Sequence, residues 1–295
     1  MRPEGLATKI FLDSGDPQET RDALALLGFL DGQTTNPSLV AKNPAAQERL
    51  AQGKKFRREE VYELYAGIVK EISALIPDGS VSVEVYADAA TPEEEILSEG
   101  ERMFSWIPNA HIKFPNTRAG LAAAARAVES GMRVNMTLCF SGAQAAAVYA
   151  ATLRHGSGQA LQHGLGQVLQ YGSGQVREST KGQVFISHFV VRLDDRGENG
   201  MDLIKSILKL YEKGDGHVEV LTASVRNVAH FLSAIHLGSD IITAPLKVLK
   251  EWSERGFPMP GSDFAYERKD LRPIPYHDLD LSRRWEEYDI SHELT

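Results

Sequence analysis

Lys113 stands in the apolar run Ala110-His111-Ile112-Lys113-Phe114-Pro115, directly between Ile112 and Phe114. Burial strongly disfavours an ammonium in such a setting. Desolvation lowers a lysine's pKa and leaves the amine neutral and nucleophilic. A neutral amine adds to a ketone to give a carbinolamine, and loss of water then gives an imine. The protonated imine draws electrons, so the adjacent C–C bond breaks once a base removes a neighbouring hydroxyl proton. A lone lysine at a strand end more often snorkels its ammonium into water, so the surrounding residues must decide between the two readings.

Those residues form a consistent set. Asp13, at the end of Phe11-Leu12-Asp13-Ser14, is a candidate base. Glu84 lies inside the apolar run Val81-Ser82-Val83-Glu84-Val85 and, with Thr137, could hold a water that shuttles protons. Asn36, in Thr34-Thr35-Asn36-Pro37-Ser38, and Asn135 could hold substrate hydroxyls. Ser187 ends a sixth apolar run. Arg192, Ser224 and Arg226 offer charge-assisted bonds to a phosphate. Taken singly, each has a structural explanation. Asp13 could cap the next helix, although Asp16 or Ser14 would serve as well. Glu84 needs a partner, and Lys113 or an arginine would do. Asn135 and Thr137 could be satisfied core polars, and the arginines could be ordinary surface residues. Jointly, seven apolar runs ending in polar groups directed to one face are not what a purely structural interior requires.

The elements that would carry these groups alternate along the chain. Eight β-rich runs stand out: Lys9–Leu12, Gln33–Thr35, Val81–Val85, His111–Phe114, Arg133–Leu138, Val184–Phe189, Val218–Leu221 and Ile241–Thr243. Helical periodicity fills most of the gaps, at Asp16–Leu30, Glu59–Leu75, Glu93–Met103, Leu121–Glu129, Ala143–Leu153, Met201–Lys213 and Val225–Leu237. Alternation of this kind implies a parallel sheet. Eight units point to an α/β fold of the closed (β/α)8 TIM-barrel type, with functional groups where the strand C-terminal ends meet the following loops.

Two segments break the rhythm. Residues 155–178 repeat an octapeptide three times, HGSGQALQ, HGLGQVLQ and YGSGQVRE, whose six glycines disfavour a helix. This is expected to be a Gly/Gln-rich insertion, spanning 154–181, between the fifth helix and the sixth strand, not a metal site built on its two histidines. Residues 254–295, with Pro258, Pro260, Pro273 and Pro275, read as a C-terminal extension of a catalytic barrel at 1–253, packing on that barrel or on a neighbouring subunit.

Composition narrows the partners. The 295 residues are 42% apolar and 24% charged, typical of a globular chain, and the net charge of −8 argues against nucleic acid or an anionic membrane. A single cysteine, Cys139, excludes an internal disulfide and a cysteine-based metal site, and fits a cytoplasmic setting. No apolar stretch approaches the ~20 residues of a membrane span, and the first residues have no signal-peptide core. No phosphate-cradling glycine motif and no nicotinamide or flavin fingerprint is present, so chemistry without a cofactor is expected.

FLDS at 11–14, DGQTTNPSL at 31–39, IKFPNT at 112–117, VNMTLCFSGAQA at 134–145 and LTASVRN at 221–227 together resemble the signature segments of transaldolases. The resemblance implies a class I aldolase-type barrel in which Lys113 forms the Schiff base and Asp13 acts as acid and base. It places Asn36, Glu84, Asn135, Thr137, Ser187, Arg192, Ser224 and Arg226 on the family's site positions. The implied reaction moves dihydroxyacetone from sedoheptulose 7-phosphate to glyceraldehyde 3-phosphate in the pentose phosphate pathway, so phosphorylated sugars are the expected partners, in a homo-oligomer. Fructose-6-phosphate aldolases resemble the chain less, since they typically carry Gln at the position of Glu84 and Tyr at that of Phe189. The chain departs from the family at Ser187-His188-Phe189-Val190-Val191-Arg192, where the pattern is SPFVGR. Without a glycine at 191, a displaced Arg192 and a weaker phosphate grip are expected, and a sugar-phosphate binder without turnover stays open. His188 is expected to be packed.

Overall fold

The computed structural model describes residues 2–153, 182–266 and 268–295. In chain order the elements are β1 Lys9–Asp13, α1 Pro17–Leu27, β2 Gly32–Thr34, α2 Pro37–Val40, α3 Pro44–Ala51, α4 Arg58–Leu75, β3 Ser80–Glu84, α5 Glu93–Phe104, β4 Ala110–Pro115 and α6 Arg118–Glu129. They continue with β5 Val134–Cys139, α7 Gly142–Thr152, β6 Val184–Phe189, α8 Val190–Asp194, α9 Gly200–Tyr211, β7 Val218–Ala223, α10 Val228–Leu237, β8 Ile241–Ala244 and α11 Leu246–Glu254. The strands pair in parallel in sequence order, and β1 pairs with both β2 and β8, so the sheet closes into the expected (β/α)8 barrel. The glycine-rich repeat lies outside the described residues, between α7 and β6.

Local chemistry sets the boundaries. The first helix stops at Leu27, not Leu30, because Gly28 adopts φ 75°, a left-handed cap that ends the helical bonding. α10 begins at Val228, not Val225, because the Asn227 side chain accepts from the His230 N–H and caps the turn. The short helices α2 and α8 carry too few residues for an apolar period to declare them. α11 did carry a signal, with Leu246, Leu249 and Trp252 buried at three-residue spacing.

Period-2 alternation sends every second strand residue into the barrel. At the N-terminal end this interior is sealed. Phe11 and Phe185 meet edge to face at 6.0 Å, His111 stacks on Phe185 at 4.0 Å, and Lys9 pairs with the buried Glu219 at 2.9 Å. Gly32 belongs to the same packing, since a Cβ there would lie 2.6 Å from the Phe11 ring. Each fully buried large apolar side chain contributes about 1.5–3 kcal/mol relative to exposure. With this floor packed, a cavity opens into the interior where the strands end.

The segment after α11 packs back on the barrel. The Arg272 and Asn199 backbones bond near the start of α9, Gln144 in α7 donates to the Ile290 carbonyl and to Thr295 Oγ1, and Thr295 Oγ1 donates to the Leu138 carbonyl at the end of β5. His292 stacks on Phe140, which in turn meets Phe189 edge to face.

Candidate active site

Register decides who stands beside Lys113. In the parallel ladder Glu84 of β3 lies opposite Lys113 of β4, and Lys113 lies opposite Asn135 of β5. Lys113 Nζ sits 2.6 Å from Glu84 Oε2 and 3.5 Å from the Thr35 carbonyl, with only 4% of its side chain exposed. The buried lysine is therefore ion-paired, the partner anticipated for Glu84 if it played a structural part. Glu84 is held by its own backbone, whose N–H donates to Tyr65 Oη; Tyr65 also bonds Thr35 Oγ1.

Asp13 is not a helix cap. Asp16 does that work, accepting from Gln18 N–H, which leaves the Asp13 carboxylate free to face the barrel mouth. Thr34 Oγ1 donates to Asp13 Oδ1 at 2.7 Å and is itself bonded to Thr243 Oγ1 at 2.6 Å. Close surroundings push the Asp13 carboxyl above the ordinary carboxylate range, against the Thr34 hydrogen bond and the Lys113 charge, which pull it down.

Beneath the lysine runs a polar chain across the interior: Ser187 Oγ donates to Asn135 Oδ1 at 2.8 Å, and Asn135 Nδ2 donates to Ser82 Oγ at 3.0 Å. Thr137, two residues on from Asn135, is fully buried, and its hydroxyl has no hydrogen-bond partner among the described residues. Ser224, just past β7, holds φ 59°, a left-handed backbone that non-glycine residues rarely adopt and that concentrates at functional sites.

A cavity of about 110 Å³ opens over this arrangement. Asp13, Asn36, Lys113, Ser187, Phe189, Arg192 and Ser224, all expected from the sequence, line it together with Thr34, Ala223 and Thr243. Without a glycine at 191, Arg192 still reaches the cavity, because Val190–Asp194 coil into α8 and turn Val191 inward to burial. The other expected residues stand differently. Glu84 touches the cavity's lysine, and Asn135 and Thr137 lie in the interior. Arg226 is absent from the lining: it is 64% exposed and forks onto Asp195, with both oxygens at 2.9 Å. Asn36 spends its Oδ1 on the Leu39 N–H at the start of α2, leaving its amide N–H groups for a ligand. His188 lies on the opposite face of β6 from Ser187 and is completely buried, so it is packed as expected.

Sequence reasoning passed over Thr34 and Tyr65. Thr34 carried a signal, since it shares the interior-facing phase of its strand and sits within Thr34-Thr35-Asn36. Tyr65 carried none, because it reaches Glu84 from a helix that the sequence separates from β3.

Comparison with known proteins bears on the same residues. The model of the transaldolase/fructose-6-phosphate aldolase family matches residues 10–272. A probable transaldolase from Dehalococcoides mccartyi is 32% identical over 266 residues, covering 90% of this chain and 99% of that protein. Probable transaldolases from Caulobacter sp. (strain K31), 35% identical across 80% of this chain and 85% of that protein, and from Rhodospirillum centenum, 36% identical across 82% and 83%, agree with it. With a match from β1 to beyond α11 that spans every strand carrying the cavity, the chain belongs to the transaldolase/fructose-6-phosphate aldolase family.

Proposed function

We propose that this chain is a transaldolase that moves a dihydroxyacetone unit from sedoheptulose 7-phosphate to glyceraldehyde 3-phosphate through an imine on Lys113, in the cytoplasmic pentose phosphate pathway. The observation that carries this reading is the buried Lys113 amine, paired with Glu84 at 2.6 Å, at a cavity that Asp13 also faces. Glu84 is placed to take the ammonium proton, freeing the amine to attack the substrate's C2 carbonyl, and then to return a proton as the carbinolamine hydroxyl leaves as water. The Thr137 hydroxyl, with no acceptor among its described neighbours, supports a water relayed with Glu84.

Asp13 then accepts the C4 hydroxyl proton. The electrons of the C3–C4 bond flow into the iminium, the aldehyde leaves, and a three-carbon enamine stays on Lys113. The raised carboxyl of Asp13 makes it a stronger base than an ordinary aspartate. The enamine adds to the acceptor aldehyde while Asp13 returns the proton, and hydrolysis frees the new ketose. Asn36, Asn135 and Ser187 would orient hydroxyls, Phe189 walls the cavity, and Arg192, Ser224 and Arg226 would hold the phosphate.

Borohydride trapping with fructose 6-phosphate tests the reading. The expected result is a stable three-carbon adduct that peptide mapping places on Lys113 and, without borohydride, transfer to added erythrose 4-phosphate with formation of sedoheptulose 7-phosphate and glyceraldehyde 3-phosphate. Release of free dihydroxyacetone without an acceptor would instead identify an aldolase. Sugar-phosphate binding with no adduct would leave a non-catalytic binder.

Thr34→Val checks the base. Removing the hydrogen bond that lowers the Asp13 carboxyl raises it further. A base with a higher pKa is ionised only at higher pH, so the acidic limb of the kcat/KM profile is expected to move upward. An unmoved limb would take Asp13 out of the proton transfer.

A further inference from the structure

We propose that Asp195 restrains the site's affinity for phosphorylated substrates, by holding the Arg226 guanidinium outside the cavity until a phosphate displaces it. The inference rests on Arg226 serving the phosphate, as argued above. A carboxylate presents the same two-oxygen face to a guanidinium fork as a phosphate does, so the two cannot occupy it together. Here the fork is filled: Nη1 and Nη2 each meet one Asp195 oxygen at 2.9 Å. Ser224, two residues before Arg226, lines the cavity while Arg226 does not.

Asp195 occupies a position suited to that part. It closes α8, three residues after the cavity-lining Arg192, and its carboxylate feels the charge of both arginines assigned to the phosphate. Hydrogen bonding from Arg226, with the Arg192 charge adding to it, holds the Asp195 carboxyl below the ordinary range. The neighbouring Asp194 is not free to compete. Its carboxylate is engaged by His230 Nε2 at 3.0 Å, by the Gly200 N–H at 2.9 Å and by Tyr266 Oη at 3.3 Å. The Asp195–Arg226 pair is 55% and 64% exposed, so it is weak and exchangeable. A phosphate dianion has the charge to take the guanidinium from Asp195; a neutral sugar has no group that can. Asp195 thus lowers affinity for every anion at the site while leaving uncharged sugars unaffected.

Asp195→Asn in the full chain tests this, with fructose 6-phosphate and unphosphorylated fructose as donors and inorganic phosphate as inhibitor. The variant is expected to lower KM for fructose 6-phosphate and the inhibition constant of phosphate by about two- to fivefold, the range open to an exposed ion pair. Turnover, the fructose kinetics and the melting temperature are expected to stay unchanged. Glu198→Gln removes a carboxylate nearby that pairs with Arg272, not Arg226, and is expected to change none of these values. Unchanged or weakened phosphate affinity in Asp195→Asn overturns the proposal, and so does an equal gain in Glu198→Gln, which would reduce the effect to net charge. A wild-type protein that shows no preference for the phosphorylated donor, and in which Arg226→Ala costs no affinity, would overturn the phosphate site itself.

Discussion

Replacing Lys113 with methionine is expected to lower ketose turnover by about four orders of magnitude or more, the scale of loss when a covalent nucleophile is removed. Methionine keeps an unbranched stem of similar reach in the barrel-facing position that Lys113 holds on β4. It lacks the amine, so no imine forms and no electron sink develops next to the breaking bond. The fold is expected to survive. Glu84 loses its cation, but 21% of its side chain already meets solvent and its carboxylate can turn outward. Initial rates measured beside a thermal melt check both halves. A melting temperature close to wild type with turnover lost places Lys113 in the chemistry. A variant that retains a substantial fraction of wild-type turnover removes the imine from the reaction.

Stability is expected to fall steeply as the solution is acidified through pH 6, because of two histidines outside the reaction. His111 and His188 are buried, and burial lowers each to about 3, from the ordinary value of about 6.5. Both are neutral in the native state, whereas in the unfolded chain they take up protons as the pH drops below about 6.5. The unfolded state thus binds more protons between those values, and stability present above pH 6.5 is lost on the way down. Each histidine costs about 1.4 kcal/mol per pH unit in that window, so the pair costs roughly 3 kcal/mol per unit, a large part of an ordinary domain's 5–15 kcal/mol. The raised Asp13 carboxyl acts in the opposite sense. Denaturant unfolding at pH 7.5, 6.5 and 5.5 measures the slope. His188→Leu is expected to cut it by about half. An unchanged slope in that variant would show that His188 is not the proton acceptor on unfolding.

Strand–helix alternation was enough to read the barrel, because a parallel strand buried on both faces and a helix buried on one leave different apolar periods. Reading the polar residues that close those strands gave Asp13, Lys113, Ser187 and Ser224, which do line one cavity, since strand ends in such a barrel converge on one mouth. The need of the lysine for a partner was legible too, since a cation in an apolar run either reaches water or meets an anion, and Lys113 meets Glu84. Helix ends were less legible. Gly28 and Asn227 decided them through backbone and capping bonds that apolar spacing does not contain.

Tertiary structure alone decided which groups share a bond. Sequence spacing says nothing of register, and it is register that sets Glu84 opposite Lys113 and draws Ser82, Asn135 and Ser187 into one chain. Tyr65 reaches Glu84 from a helix, and Thr243 reaches Thr34 by closure of the first strand on the last. Arg226 is the clearest case. Its type and place after β7 marked it for a phosphate, but a guanidinium goes to the nearest anion the fold presents, and here that anion is Asp195.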